Sequence, residues 1–200
     1  MGAPVGVLAS GSGTNLQVLL DDPEINVVAV ASDKADVPAL QRAAGARVPS
    51  AVFVRGDFDD REARDVAMAD WLERAGVELV VLAGYMQLLS GSFLARFPDR
   101  VVNVHPSLLP AFPGLDAIGD AVAYGVKVFG VTVHLVDEGV DTGPILAQAS
   151  VEIADPLGRD EVHDRLRPLE HALLPEAVRL LAGGAVRRDP ANPRRLLVDR

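Results

Sequence analysis

Short apolar, β-branched runs alternate with longer stretches of mixed polarity over the first half of the chain. The runs at 5–9, 27–31, 51–54, 79–83 and 101–104 predict strands. Near-continuous apolar character, as in Val80, Val81, Leu82 and Ala83, marks a strand buried on both faces of a parallel sheet rather than a half-exposed one. Between the runs, 15–20, 38–44, 59–75 and 91–97 predict helices. The third is the clearest: Ala63, Val66, Ala67, Asp70, Trp71 and Ala75 approximate a mostly apolar stripe, and Gly76 supplies a stop. This alternation predicts an α/β fold, a doubly wound, mostly parallel sheet with helices on both faces.

After residue 105 the texture changes. Pro106, Pro110, Pro113 and Gly114 mark an extended loop, and 118–124 predicts a helix. Two strands at 128–136 and 145–153, joined by a turn at 137–144, predict an antiparallel addition to the sheet. A long last helix is expected over 160–181, with Val162, Leu166, Leu169, Leu173, Leu180 and Leu181 on one side. Pro168 and Pro175 lie within it and predict a kink or break. From Arg187 onward the chain is rich in Arg and Pro and reads as a tail. No repeat or linker divides the chain. One domain is expected over 1–200, with a nucleotide- or phosphate-binding half (1–100), a catalytic half (101–185) and the tail (186–200).

Composition narrows the chemistry. The 200 residues are 49% hydrophobic and 24% charged, ordinary for a globular protein. The net charge of −9 argues against nucleic acid or an anionic membrane as partner, because neutralising phosphates needs a basic face. The absence of cysteine excludes disulfides, thiolate nucleophiles and Cys-based metal sites. The first residues carry no charged segment followed by an apolar run, and no stretch reaches the ~18 apolar residues of a membrane span. A cytoplasmic protein is expected. The pattern leaves oligomeric state open.

Three segments could carry chemistry. Ser10-Gly11-Ser12-Gly13-Thr14-Asn15 follows the first strand and opens a helix, where glycine-turn amides form an anion cradle and the hydroxyls and Asn amide add donors. The plainer alternative is a flexible turn with Thr14 as helix cap. The loop is neither a Walker A motif nor a complete Gly-x-Gly-x-x-Gly, since Leu16 stands at the third glycine position. In the second segment, Asn103 and His105 lie on one side of a strand, their Cα atoms about 6.6 Å apart, while Val102 and Val104 anchor the other side. An amide donor beside an imidazole suits oxyanion stabilisation with proton transfer; a pair satisfying loop carbonyls is the alternative. The third segment holds Asp137, Glu138 and Asp141 in a turn. Acidic turns bind Ca²⁺, but this spacing lacks the EF-hand pattern, and no metal site is expected. An Asp held near a His would instead stabilise the imidazolium. His134, inside an apolar strand, reads as structural rather than catalytic, and His163 and His171 read as helix-surface or structural groups.

The Ser-Gly-x-Gly-Thr-Asn loop, the strand end Leu82-Ala-Gly-Tyr-Met86, the run Asn103-x-His105-Pro-Ser-Leu-Leu-Pro110 and the segment 130–143 occur together in this order. In this the chain resembles the folate-dependent formyltransferases, and among them the phosphoribosylglycinamide formyltransferases, over about residues 5–182. The resemblance implies a Rossmann-like formyltransferase fold. It implies 10-formyltetrahydrofolate as co-substrate, glycinamide ribonucleotide (GAR) as acceptor in purine synthesis, and no metal. It implies catalytic roles for Asn103, His105 and Asp141, and GAR contacts from Gly13, Thr14, Asn15 and Glu170. Folate contacts are implied for Arg61, Met86, Gln87, Leu88, Leu89, Asn103, Asp137, Val140 and Asp141. Some positions depart from the pattern: Gln87 stands where Arg is frequent, Asp116 and Gly119 replace polar residues often found after Pro-Gly, and Pro168 lies two residues before Glu170. Altered packing of the 113–119 loop is expected. Three alternatives share features with this reading. A formyltetrahydrofolate hydrolase shares the trio but usually carries an extra N-terminal domain, whereas here the first strand starts at Val5. A methionyl-tRNA formyltransferase usually adds a β-barrel and a basic surface. A non-catalytic folate- or nucleotide-binding module would not need all three catalytic residue types.

Overall fold

The computed structural model describes residues 2–155 and 158–199. Its elements, in chain order, are β1 (Val5–Leu8), α1 (Thr14–Asp21), β2 (Val27–Ser32), α2 (Pro38–Gly45), β3 (Ser50–Val52), α3 (Arg61–Arg74), β4 (Leu79–Leu82), α4 (Gly91–Arg96), β5 (Val101–His105), α5 (Ala117–Tyr124), β6 (Val128–Leu135), β7 (Ile145–Glu152), α6 (Arg159–Ala182), β8 (Val186–Asp189) and β9 (Asn192–Val198). One sheet runs in the order β3-β2-β1-β4-β5-β6-β7-β9-β8. The first five strands are parallel, and β6 and β7 continue the sheet antiparallel from β5.

Strands buried on both faces explain the continuous apolar runs. Val5, Val7, Leu79, Val81, Val102 and Val104 face a core built with α1, α2, α5 and α6. Leu8, Val80, Leu82 and Val101 face a second core with Met68, Ala69 and Leu72 of α3 and Phe93 of α4. The sheet is therefore covered from both sides, which forces the polar ends of its strands to be the places where chemistry can face solvent.

Four expectations need correction. The buried face of α3 is Arg64, Asp65, Met68, Ala69 and Leu72, not the stripe through Ala63, Val66, Asp70 and Trp71. A charged pair occupies the inner face, Arg64 Nη2 lying 2.6 Å from Asp65 Oδ1 with both side chains almost fully buried. Apolar periodicity is blind to a face that buries charges in pairs. Second, α6 is continuous through Pro168 and Pro175. Each proline removes one helix hydrogen bond, yet Val162, Leu166, Leu174, Ala177, Val178 and Leu181 pack into the core along its length and hold it together. Third, the expected tail folds as the β8–β9 hairpin, which joins β7 through a parallel pairing of Ile145 with Arg195. Fourth, β3 is shorter and begins earlier than the run at 51–54. Among the described residues no helix is long and apolar enough to cross a membrane, and no group of three or more His, Cys, Asp or Glu is placed to hold a metal ion.

Candidate active site

The parallel strands end in loops that enclose a cavity of about 650 Å³. Its apolar wall comes from the segment after β4, with Met86 and Leu88 about half exposed, and from Leu115 and Val140 opposite. A buried scaffold holds that segment. Asp65 Oδ2 accepts a 2.6 Å bond from the Ser90 amide, Gln87 Nε2 donates to Asp33 Oδ2 at 3.1 Å, and the Arg64 guanidinium reaches Gln87 Oε1 and the Leu88 carbonyl at 3.4 Å. Gln87 thus bridges two charged groups of opposite sign. Arg61, in the first turn of α3, also lines the cavity.

Asn103 and His105 project from β5 on the face away from Val102 and Val104, and both line the cavity. His105 donates from Nε2 to the Phe112 carbonyl at 2.9 Å, since a carbonyl can only accept. Its Nδ1 lies 3.4 Å from Asp141 Oδ2. Each ring nitrogen thus has an oxygen of a neighbouring group facing it. His134 stands directly opposite Asn103 across the β5–β6 ladder. Its Nδ1 donates to the Leu135 carbonyl at 2.9 Å, and its Nε2 lies 3.2 Å from Asn103 Nδ2 and 3.6 Å from Asp141 Oδ1. His134 therefore lies in the cavity wall beside the other three. Strand pairing placed it there, and the local sequence carries no sign of that.

Asp141 closes the cluster. It has φ 52°, a left-handed conformation in which Asn and Asp are the best tolerated residues after glycine. One carboxylate oxygen accepts from the Gly114 amide at 2.8 Å and the other from Asn103 Nδ2 at 3.4 Å. Burial works against its ionisation. The hydrogen bonds from His134 and Gly114 and the fields of His105 and His134 outweigh that, and the carboxyl titrates below its ordinary range. The 137–144 loop turns back on itself through Asp137 Oδ1, which accepts from the Gly139 amide and the Thr142 hydroxyl. Gly143 seats it against β6, where a Cβ would fall onto the Leu135 carbonyl oxygen.

The glycine loop lies beside this cavity, tied to its wall by the Met86 amide, which donates to Ser10 Oγ at 2.9 Å. Gly13, not Thr14, is the cap of α1, at φ 69°. A Cβ there would also sit 2.8 Å from Ala39 Cα, so the glycine is required by the packing of α2 as well as by its own conformation. Asn15 Nδ2 donates to Glu170 Oε2 at 2.8 Å, joining residues 155 positions apart in a buried pair. Asn15 Oδ1 is buried without a hydrogen-bond partner. Pro168 leaves Glu170 in the helix and at this contact. The 113–119 loop is accommodated by Asp116, which caps α5 by accepting from the Gly119 amide at 3.3 Å. Arg42, which sequence reasoning passed over, donates to the Ser12 carbonyl at 2.9 Å and braces the glycine loop.

The residues expected to contact folate all line the one cavity, whereas Gly13, Thr14, Asn15 and Glu170 lie outside it. The arrangement joins a hydrogen-bonding cluster able to stabilise an oxyanion and move a proton to an apolar slot for a flat ligand and, next to it, an amide-rich loop.

Residues 4–178 match the formyl transferase family. A phosphoribosylglycinamide formyltransferase of Mycobacterium tuberculosis (strain CDC 1551 / Oshkosh) is 47% identical over 180 residues, covering 88% of this chain and 83% of that protein. The trifunctional purine biosynthetic protein adenosine-3 of Drosophila pseudoobscura pseudoobscura is 44% identical over 191 residues, and there the chain spans 14% of the relative's length. Among solved structures, glycinamide ribonucleotide transformylase 1 from Symbiobacterium toebii has a TM-score of 0.94 at 44% identity, covering 98% of this chain and 94% of that one.

Proposed function

The chain belongs to the formyl transferase family, and we propose that it transfers the formyl group of 10-formyltetrahydrofolate to the amine of GAR, giving formyl-GAR and tetrahydrofolate in purine synthesis. The observation that carries the reading is the convergence of Asn103, His105, His134 and Asp141 at one end of an apolar cavity. The cavity fits the folate: about 650 Å³ lies within the range that encloses small ligands. Met86, Leu88, Leu89 and Val140 supply flat apolar contact, the Asp137–Asp141 loop covers the ring, and Arg61 offers a cation to the anionic tail.

As the amine adds to the formyl carbon, negative charge collects on the formyl oxygen. Asn103 Nδ2 lies within reach of His134 Nε2 and Asp141 Oδ1, and in this reading one of its two N–H groups turns to that oxygen. His105 gives the second hydrogen bond. With Nε2 held by the Phe112 carbonyl at 2.9 Å, Nδ1, 3.4 Å from Asp141, is the nitrogen whose proton the substrate oxygen would share. Asp141 holds the imidazolium charge and organises proton movement from the attacking amine to the departing folate nitrogen. Gly13, Thr14 and Asn15 present donors to the GAR phosphate and Glu170 accepts from the nucleotide. Holding both substrates in register can contribute about 7–11 kcal/mol of the barrier reduction. The proposal includes a cytoplasmic location.

One assay tests the reading: purified protein with 10-formyltetrahydrofolate and, in parallel, GAR, water alone or methionyl-tRNA. Formyl-GAR is the expected product. Formate released at the same rate without GAR would instead make the protein a hydrolase, formylation of the tRNA would make it a tRNA enzyme, and no turnover would leave a binding module.

A further inference from the structure

The loop that carries Asp141 is closed on itself by Asp137 Oδ1, yet most of it faces solvent. Glu138, Gly139, Val140 and Thr142 are exposed, and Asp141 sits in a left-handed conformation that costs a non-glycine residue free energy. Such a conformation persists only where surrounding contacts over-determine it. Some of those contacts come from beyond the residues that match the family. Arg194 on β9 donates from Nη2 to the Thr142 carbonyl, one residue past Asp141, at 2.6 Å. Its neighbour Arg195 pairs with Ile145, at the loop's exit into β7. Arg188 on β8 donates through Nε to Asp99 at 2.8 Å, just before β5, and its charge is further stabilised by the field of Asp137, at the loop's entry. A basic hairpin thus contacts an acidic loop at its exit, and the field of the loop's entry residue reaches the same hairpin.

We infer that the β8–β9 hairpin is a positioning device for the Asp141 loop, with Arg194 as its principal positioning residue. The inference rests on the formyl-transfer reading for its kinetic consequence. Arg194 touches no reacting group. It fixes the peptide that follows Asp141, and so the distance from Asp141 to His105 and His134. A charge-assisted bond to a carbonyl sets direction as well as distance, and that is what a carboxylate working between two imidazoles needs. Because the guanidinium is exposed, its loss should perturb the loop without unfolding the domain.

The test compares wild type, Arg194→Ala and Arg194→Lys by steady-state kinetics, by hydrogen–deuterium exchange of the 136–145 segment without substrates, and by thermal melting. In Arg194→Ala, kcat should fall about three- to tenfold, the size expected of one exposed charged contact acting through the loop. The KM for GAR should stay within about twofold, and exchange in 138–143 should quicken while the rest of the protein and the melting temperature stay as in wild type. Lysine, which can donate to the same carbonyl, should restore most of both readouts. Unchanged kcat together with unchanged loop exchange overturns the inference. So does a fall in kcat that tracks a global loss of stability, or one that lysine fails to relieve. If wild type transfers no formyl group to GAR, the proposed function fails, and the exchange comparison alone decides the positioning role.

Discussion

The two halves of the candidate site are built differently. In the cavity, polar groups satisfy one another: His105, His134, Asn103 and Asp141 form a closed set in which the Asp141 carboxylate is the shared acceptor. At the glycine loop the set is open. Asn15 and Glu170 meet, but Asn15 Oδ1 is buried with no partner. A closed set is preorganised before substrate arrives, which is what stabilising a short-lived charge requires. An open set is completed by its ligand and expresses itself in affinity. Substitutions in the first should therefore fall on kcat, and substitutions in the second on KM for one substrate.

The largest effect should come from the shared acceptor. Asp141→Asn removes the charge but keeps a residue that tolerates the φ of 52° and can still accept from Gly114, so the loop should survive. kcat should drop by roughly 10²–10⁴, the range associated with a positioned acid–base group, with KM for either substrate changed little. Steady-state kinetics with both substrates varied checks this. A variant that retains wild-type kcat would reduce Asp141 to a loop-shaping residue and dissolve the distinction between the two halves.

A smaller and opposite pattern is expected from Glu170→Gln. The side chain keeps its shape and can still accept from Asn15, but loses the charge that strengthens its hydrogen bond to Asn15 and, under the proposed function, to the acceptor nucleotide. KM for GAR should rise about ten- to a hundredfold, equivalent to ~1.5–3 kcal/mol for a charged hydrogen bond, with KM for the folate unchanged. Equal rises for both substrates would show that the Asn15–Glu170 pair shapes the fold rather than the acceptor site. Gly13 is unsuited to this purpose, because a side chain there collides with α2 whatever the loop binds.

How legible these regions were in the sequence follows from the range of the interactions that make them. Strands β1, β2 and β4 were visible because each is almost wholly apolar over consecutive residues, a signal contained in four to six positions, and β5 because Val101, Val102 and Val104 frame it. Asn103 and His105 were visible as a pair because strand alternation alone puts them on one side. The inner face of α3 was hidden because its largest buried side chain is an arginine neutralised by the adjacent Asp65. That His134 stands beside Asn103 was hidden because its place depends on the register of an antiparallel partner 31 residues away. The hairpin at the end was read as a tail because arginines that look like a solvated run are in fact spent on Asp99 and the Thr142 carbonyl. Motifs and resemblance could place Glu170 near the acceptor. That its partner is Asn15, at the far end of the chain, is information only the fold holds.

The smallest expected effect concerns acid stability, and it sharpens the comparison through the same carboxylate. Asp141 titrates lower in the folded protein than in the unfolded chain. Burial opposes this, but the bonds from His134 and Gly114 and the charges of His105 and His134 prevail. A depressed folded value means that ionised Asp141 contributes stability fully above the unfolded value of ~3.9 and loses that contribution as pH falls through the lower folded value. Asp141→Asn carries no such contribution at any pH. The difference in unfolding free energy between wild type and variant should accordingly shrink as pH falls from about 5 to below about 4. Urea unfolding at a series of pH values, with equal m-values for the two proteins, measures it. The change should be modest, since the group is partly open to solvent and screened accordingly. A difference that stays flat through the acid range, or widens in it, would mean that the carboxylate is not held ionised by its neighbours. The cluster would then be no more closed than the Asn15–Glu170 pair.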